Sequence, residues 1–166
     1  MKISNAKELK EVSETVESYD TRNDWIFEGL KIDEKESEEL SRIFLNYDPI
    51  DVKFINCQFN DSSFCSIFNG PIGVVNVSVL DSKLTVIQAE SLINNAANAI
   101  LKTLNLSNNC LGDDEAAFFN KLKEIFNTIP SLSTLTISNN GISKKASEDF
   151  ENYIKKTYNG DFTVIN

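Results

Sequence analysis

Along the C-terminal half of the chain, apolar positions switch repeatedly between two spacings. Leu104 and Leu106, and again Leu135 and Ile137, alternate with polar neighbours at a period of two, which predicts strands with Leu104, Leu106, Leu135 and Ile137 turned inward and Asn105 and Thr136 outward. Between and after them the period becomes helical. Phe119, Leu122, Ile125, Phe126 and Ile129 make one stripe of a helix from Glu115 to Asn127, capped by Asp113 or Asp114 and stopped by Pro130. Ser143 opens another helix, with Ala146, Phe150, Tyr153 and Ile154 facing in, stopped at Asn159-Gly160. Upstream, Thr85-Val-Ile-Gln88 has the form of a capping box, followed by Ile87, Leu92, Ile93 and Ala96 before Asn98. Ser37 begins a shorter helix carrying Leu40, Ile43 and Phe44, and Asp61 to Phe68 has room for one turn or two. At the N-terminus, Asn5-Ala-Lys-Glu8 starts a helix with Leu9, Val12, Val16 and Tyr19 on one face, ending near Asp20. Strand and helix therefore alternate, the pattern of an α/β protein with a parallel sheet.

Two of these strands lie in near-identical sequences 31 residues apart. Leu101-Lys-Thr-Leu104-Asn-Leu106-Ser-Asn-Asn109-Cys-Leu111 and Leu132-Ser-Thr-Leu135-Thr-Ile137-Ser-Asn-Asn140-Gly-Ile142 share an LxxLxLxxNxL pattern, and agree outside it at Ser107/Ser138 and Asn108/Asn139. Weaker copies fit upstream. Val74, Val77, Val79, Ser82 and Leu84 keep the spacing with Ser for Asn, and Pro49, Val52, Phe54, Cys57 and Phe59 keep it with Cys. Phe27, Leu30, Ile32, Lys35 and Ser37 make a degenerate first copy, and Phe162-Thr-Val164-Ile165 a last strand. The Asn two residues past each strand is suited to closing a turn, because its amide both donates and accepts.

On these residues the chain resembles the leucine-rich repeat family, of the long-repeat, ribonuclease-inhibitor-like type, over residues 25–166. The resemblance implies a short right-handed β-α solenoid with about five to six parallel strands on the concave side and helices on the convex side. Residues 1–24 are then an N-terminal helical cap forming one unit with the repeats, with Trp25 packing beneath it, and Asp161 to Asn166 a final edge strand that its charge protects from further pairing.

Composition narrows the chemistry. There is no histidine, which removes the Ser/His/Asp triad, the Cys/His dyad, the imidazole base and His-containing zinc sites. Cys57, Cys65 and Cys110 are too few and too scattered for a disulfide framework or thiolate metal site, and suit a reducing compartment. Cys57 has the turn position of its repeat, and Asp113-Asp114-Glu115 sits where a helix start favours negative charge, so both read as structural. The net charge of -9 is the wrong sign for nucleic acid or anionic membrane, and the uncharged run from Ser62 to Leu80 is broken by Asn69-Gly70-Pro71 and Gly73. The expectation is a cytoplasmic, monomeric, non-enzymatic protein with no cofactor, no metal and no catalytic residue. Its asparagine-rich composition and single-module form also resemble proteins that intracellular bacteria deliver into host cells without a classical signal peptide, or a small cytosolic protein of a protist.

The family resemblance implies that a partner protein binds the concave face, and the repeat frame names that face: Lys31, Lys53, Ile55, Asn76, Ser78, Leu80, Thr103, Asn105, Thr134 and Thr136. Most are small and polar. Ile55 and Leu80 are the exceptions, predicted as neighbours on adjacent strands with Lys31 and Lys53 beside them, an apolar centre with a polar rim. The other expectation is a scaffold that packs through the helices of its convex side.

Overall fold

The computed structural model describes residues 1–14, 24–68, 73–96, 100–126, 129, 131–157 and 162–166. Val16, Tyr19, Asp20, Asn69-Gly70-Pro71, Asn98, Asn127, Pro130, Asn159-Gly160 and Asp161, and the side chains of Ala96, Ile125 and Phe126, lie outside what it describes. Among the described residues the chain runs β1 (Lys2–Ile3), α1 (Ala6–Glu14), β2 (Trp25–Glu28), β3 (Lys31–Ile32), α2 (Glu34–Tyr47), β4 (Asp51–Ile55), β5 (Gln58–Phe59), α3 (Ser63–Ile67), β6 (Asn76–Leu80), α4 (Val86–Ala96), β7 (Thr103–Asn105), α5 (Glu115–Phe126), β8 (Thr134–Thr136), α6 (Lys144–Thr157) and β9 (Thr163–Ile165). A 3₁₀ turn, Leu111–Asp114, leads into α5.

Seven strands form one sheet in the order β1-β2-β4-β6-β7-β8-β9, every pair parallel, while β3 and β5 make a separate two-stranded ribbon. The sheet is thus α/β and parallel as expected, but wider by the unforeseen strand Lys2–Ile3, whose Ile3 is buried against the core and pairs with Phe27. Each central strand buries alternate residues and leaves the rest half-buried, so one face carries the core and the other is open. The helices pack side by side in chain order, α1 on α2 through α5 on α6.

Capping chemistry sets where the helices begin. Glu8 N donates to Asn5 Oδ1 (2.9 Å) and Ser4 N to Glu8 Oε2 (2.9 Å), starting α1 where the sequence predicted. The Thr85/Gln88 box closes in both directions, at 3.1 and 3.3 Å. Ser143 Oγ accepts from Ala146 N, and Asp114, not Asp113, accepts from Ala117 N. Two expectations need correction. Helix α2 starts three residues before Ser37, because Asp33 is its N-cap, accepting from Lys35 N; Ser37 is buried inside the helix, with its hydroxyl donating to Asp33 O. Ile87 does not face the core but is 62% exposed, since the inward face of α4 is made by Gln88, Ala89, Leu92 and Ile93.

The strand-to-helix turns share one conformation. Gly29, Asn56, Asp81, Asn108 and Asn139 all have a left-handed backbone, with φ between 52 and 69° for the set (69, 52, 53, 60 and 58°). Only Gly adopts that region freely, and Asn and Asp tolerate it best among the rest, which is why these residue types recur there. The following side chain then ties the turn to its neighbour. Asn109 Nδ2 donates to Val79 O (2.7 Å) and Leu106 O (2.9 Å) while its Oδ1 accepts from Ser82 N (3.1 Å) and Leu84 N (3.0 Å). Asn140 does the same toward Leu106 O (2.8 Å), Ile137 O (2.8 Å) and Leu111 N (3.4 Å). Ser82 Oγ accepts from Cys57 N (3.1 Å), and Cys57 Sγ reaches back to Phe27 O (3.4 Å).

This series also corrects the first copy. Trp25 pairs with Val52 and Phe27 with Phe54, so the inward pair of β2 is Trp25/Phe27, and Leu30, not Lys35, follows the left-handed residue. At the far end Val164, not Phe162, is the partner of Leu135. Both slips arose where no Asn marks the turn.

Candidate functional site

The open sheet face is laid out by strand register. Its middle row runs Lys2, Ile26, Lys53, Ser78, Asn105, Thr136, Ile165; the row before it holds Asp51, Asn76, Thr103, Thr134 and Thr163; and the row after it begins Glu28, Ile55, Leu80. Seven strands at about 4.8 Å spacing make this face roughly 29 Å wide, enough for an interface of ordinary size.

Nine of the ten residues predicted for the face are on it and half-buried: Lys53, Ile55, Asn76, Ser78, Leu80, Thr103, Asn105, Thr134 and Thr136. Lys31 is not. It stands in the β3–β5 ribbon, paired with Gln58 and exposed, because the true strand of that region lies five residues earlier. Its place in the middle row belongs to Ile26, which sequence reasoning missed together with Glu28 and Lys2. The signal was present: Trp25, Phe27 and Gly29 sit 27 residues before Val52, Phe54 and Asn56.

The face divides into two surfaces. Toward β1 it is apolar and charged: Ile55 and Leu80 are register neighbours, Ile26 lies on the next strand, and Lys53 stands among them. Lys2 and Glu28 neutralise each other as an ion pair, and Asn76 Nδ2 donates to the Asp51 carboxylate. Lys53 makes no ion pair with any described residue, leaving one free cation beside three aliphatic side chains. Toward β9 the face is small, hydroxylated and uncharged. Asn105 Oδ1 accepts from Ser107 N (3.0 Å) and Ser107 Oγ (2.6 Å), and Asn139 Nδ2 donates to Asn108 Oδ1 (2.9 Å). These side chains spend their polarity on one another.

Nucleophilic chemistry finds little support in the cysteines. Cys57 is buried, and burial pushes its thiol above the ordinary range, away from the reactive thiolate. Among the described residues, the hydrogen-bonding contacts of the exposed Cys65 thiol are to Ser91 Oγ (3.4 Å) and Asn95 Nδ2 (3.6 Å), neither a base. Among the described residues no group of three or more Cys, Asp or Glu is arranged to hold a metal ion, and no helix is long and apolar enough to cross a membrane. Comparison with known proteins finds no matching family model and no matching curated protein.

Proposed function

We propose that the chain is a leucine-rich repeat solenoid of the long-repeat type, and that it works as a non-enzymatic module binding a partner protein through the open, concave sheet face. The observation that carries this reading is the half-buried strip Ile26, Ile55 and Leu80 around Lys53, which makes no ion pair with a described residue, on a face that no described helix covers. Apolar side chains at the centre of a polar surface gain most from being covered, at about 25 cal/mol per Å² of apolar area removed from water. The consecutive strand order and the five left-handed turns support the solenoid half of the proposal.

The test is affinity capture from cell lysate with the wild type beside Ile55→Glu and Leu80→Glu. Loss of a captured protein, with the melting temperature of both variants close to wild type, supports the reading; unchanged capture or wholesale unfolding overturns it. A scaffold role through the helical side draws on Leu45 and Ile87, which are 53% and 62% exposed. In that case Ile87→Glu, and not Leu80→Glu, abolishes association. Delivery into a host cell is a separate proposal resting on composition, and a translocation reporter that records no export overturns it.

A further inference from the structure

At one edge of the sheet β9 pairs with β8, and Ile165 is 47% exposed. There a groove of about 800 Å³ opens between α6, the turn Asn139–Ile142 and the end of β9. Ser147 lines it, is only 3% exposed, and its hydroxyl has no hydrogen-bond partner among the described residues.

The chain itself shows what fills this place in the preceding turns. Leu84 N donates to Asn109 Oδ1 (3.0 Å), and Leu111 N to Asn140 Oδ1 (3.4 Å). Gly29 N, Asn56 N and Asn108 N each donate to a carbonyl on the next coil, at Ile55, Leu80 and Ser138. Ile142 N and Asn139 N occupy the same positions in the last turn, and no acceptor among the described residues meets them. In β9, Thr163 N and Ile165 O are bonded toward β8, which in a parallel ladder turns the Val164 N–H and C=O to the free side. The charges around the groove cancel locally, Lys144 with Glu148 (3.5 Å) and Lys155 with Glu151 (3.6 Å), so an uncharged occupant matches it better than a charged one.

We propose that this groove binds an extended, uncharged segment of a partner protein other than a second copy of this chain, lying parallel to β9 and setting an asparagine carboxamide over Ile142 N. The occupant would repeat what Asn109 and Asn140 do for Leu84 N and Leu111 N, adding a strand to an open edge. The probe is a fluorescein-labelled peptide with the sequence of residues 132–142, which is uncharged and has the required Asn at the position of Asn140. Titrated with the full chain and followed by anisotropy, it is expected to bind saturably, and at least tenfold more weakly when that Asn is replaced by Leu. Val164→Pro, which removes the outward N–H at an edge position where proline is tolerated, is expected to weaken binding of the unmodified peptide to the same degree while the melting temperature stays within a few degrees. Absence of saturable binding overturns the proposal, as does equal affinity for the Asn and Leu peptides. A chain that sediments as a dimer dissociated by Val164→Pro also overturns it, since the occupant is then a second copy.

Discussion

The half of the molecule nearer β1 and the half nearer β9 build the same backbone turn by different means. In the second half, buried Asn109 and Asn140 tie neighbouring turns together through their amides, and the sheet side of the core is aliphatic, with Leu104, Leu106, Leu135 and Ile137. In the first half the turn positions hold Leu30, Cys57 and Ser82, which have fewer or no strong hydrogen bonds to give. Aromatic packing takes over there. Phe27 stacks on Phe54 with ring centroids 5.2 Å apart, Phe59 on Phe64 at 4.5 Å, and Trp25 leans on Tyr47 at 5.3 Å, with Phe44 and Phe68 completing the cluster. The difference teaches that a turn can be fixed from outside by burial as well as from inside by hydrogen bonds, since either one over-determines the left-handed residue.

If that division holds, the largest loss of stability comes from opening the aromatic cluster. Phe54→Ala, at a fully buried position between Phe27 and Phe59, is expected to cost about 4 kcal/mol, measured by urea denaturation. Asn109→Leu follows at about 3 kcal/mol, because it strands buried backbone groups at Val79, Leu106, Ser82 and Leu84 rather than merely removing a contact. The equivalent change in the first half, Cys57→Ala, is expected to cost only about 1 kcal/mol, for a thiol whose contacts to Phe27 O and Ile55 O are weak. A Cys57→Ala loss as large as that of Asn109→Leu would erase the contrast between the halves. Iodoacetamide applied to the folded protein should label Cys65 and Cys110 and spare Cys57, as read by intact mass.

The smallest effect lies at the start of α2. A hydrogen bond between the carboxyl groups of Asp33 and Glu36 holds Asp33 below its ordinary range and Glu36 above it, with burial adding to the rise at Glu36. The raised Glu36 favours the folded state while protonated, and that contribution is lost as pH rises through its folded pKa; lowered Asp33 works in the opposite sense, losing its contribution as pH falls. Glu36→Gln supplies a permanent donor to Asp33. It is expected to raise the melting temperature at pH 7 by about 1–2 °C and to lose that advantage near pH 4, where Glu36 of the wild type carries its own proton.

The same contrast explains what could be read from the sequence. Alternation at Leu104/Leu106 and Leu135/Ile137, followed by Asn109 and Asn140, fixes both strand and register without ambiguity. Where the turn residue is Leu30, the apolar run Trp25, Phe27, Leu30, Ile32 fits more than one frame, and the frame anchored at Phe27 misplaced Lys31 and hid Ile26. The cue that survives in both halves is conformational: Gly, Asn or Asp at the left-handed position, visible in sequence as Gly29, Asn56, Asp81, Asn108 and Asn139. Strand Lys2–Ile3 was illegible because two residues carry no period, and its existence depends on the edge that Trp25–Glu28 offers. Most residues of the candidate face followed from the frame, so they fall on the open side of the sheet wherever the frame matches the strand register.

The strict order of the sheet, each strand beside the one that precedes it in its row, bears on how the chain comes to be folded at all. No described strand of this sheet waits for a partner made much later, so a chain emerging from synthesis can add each strand to the one already formed. The aromatic half is made first, and the Asn109 amide that meets Val79 O, Ser82 N and Leu84 N reaches it from the strand-to-helix turn that follows.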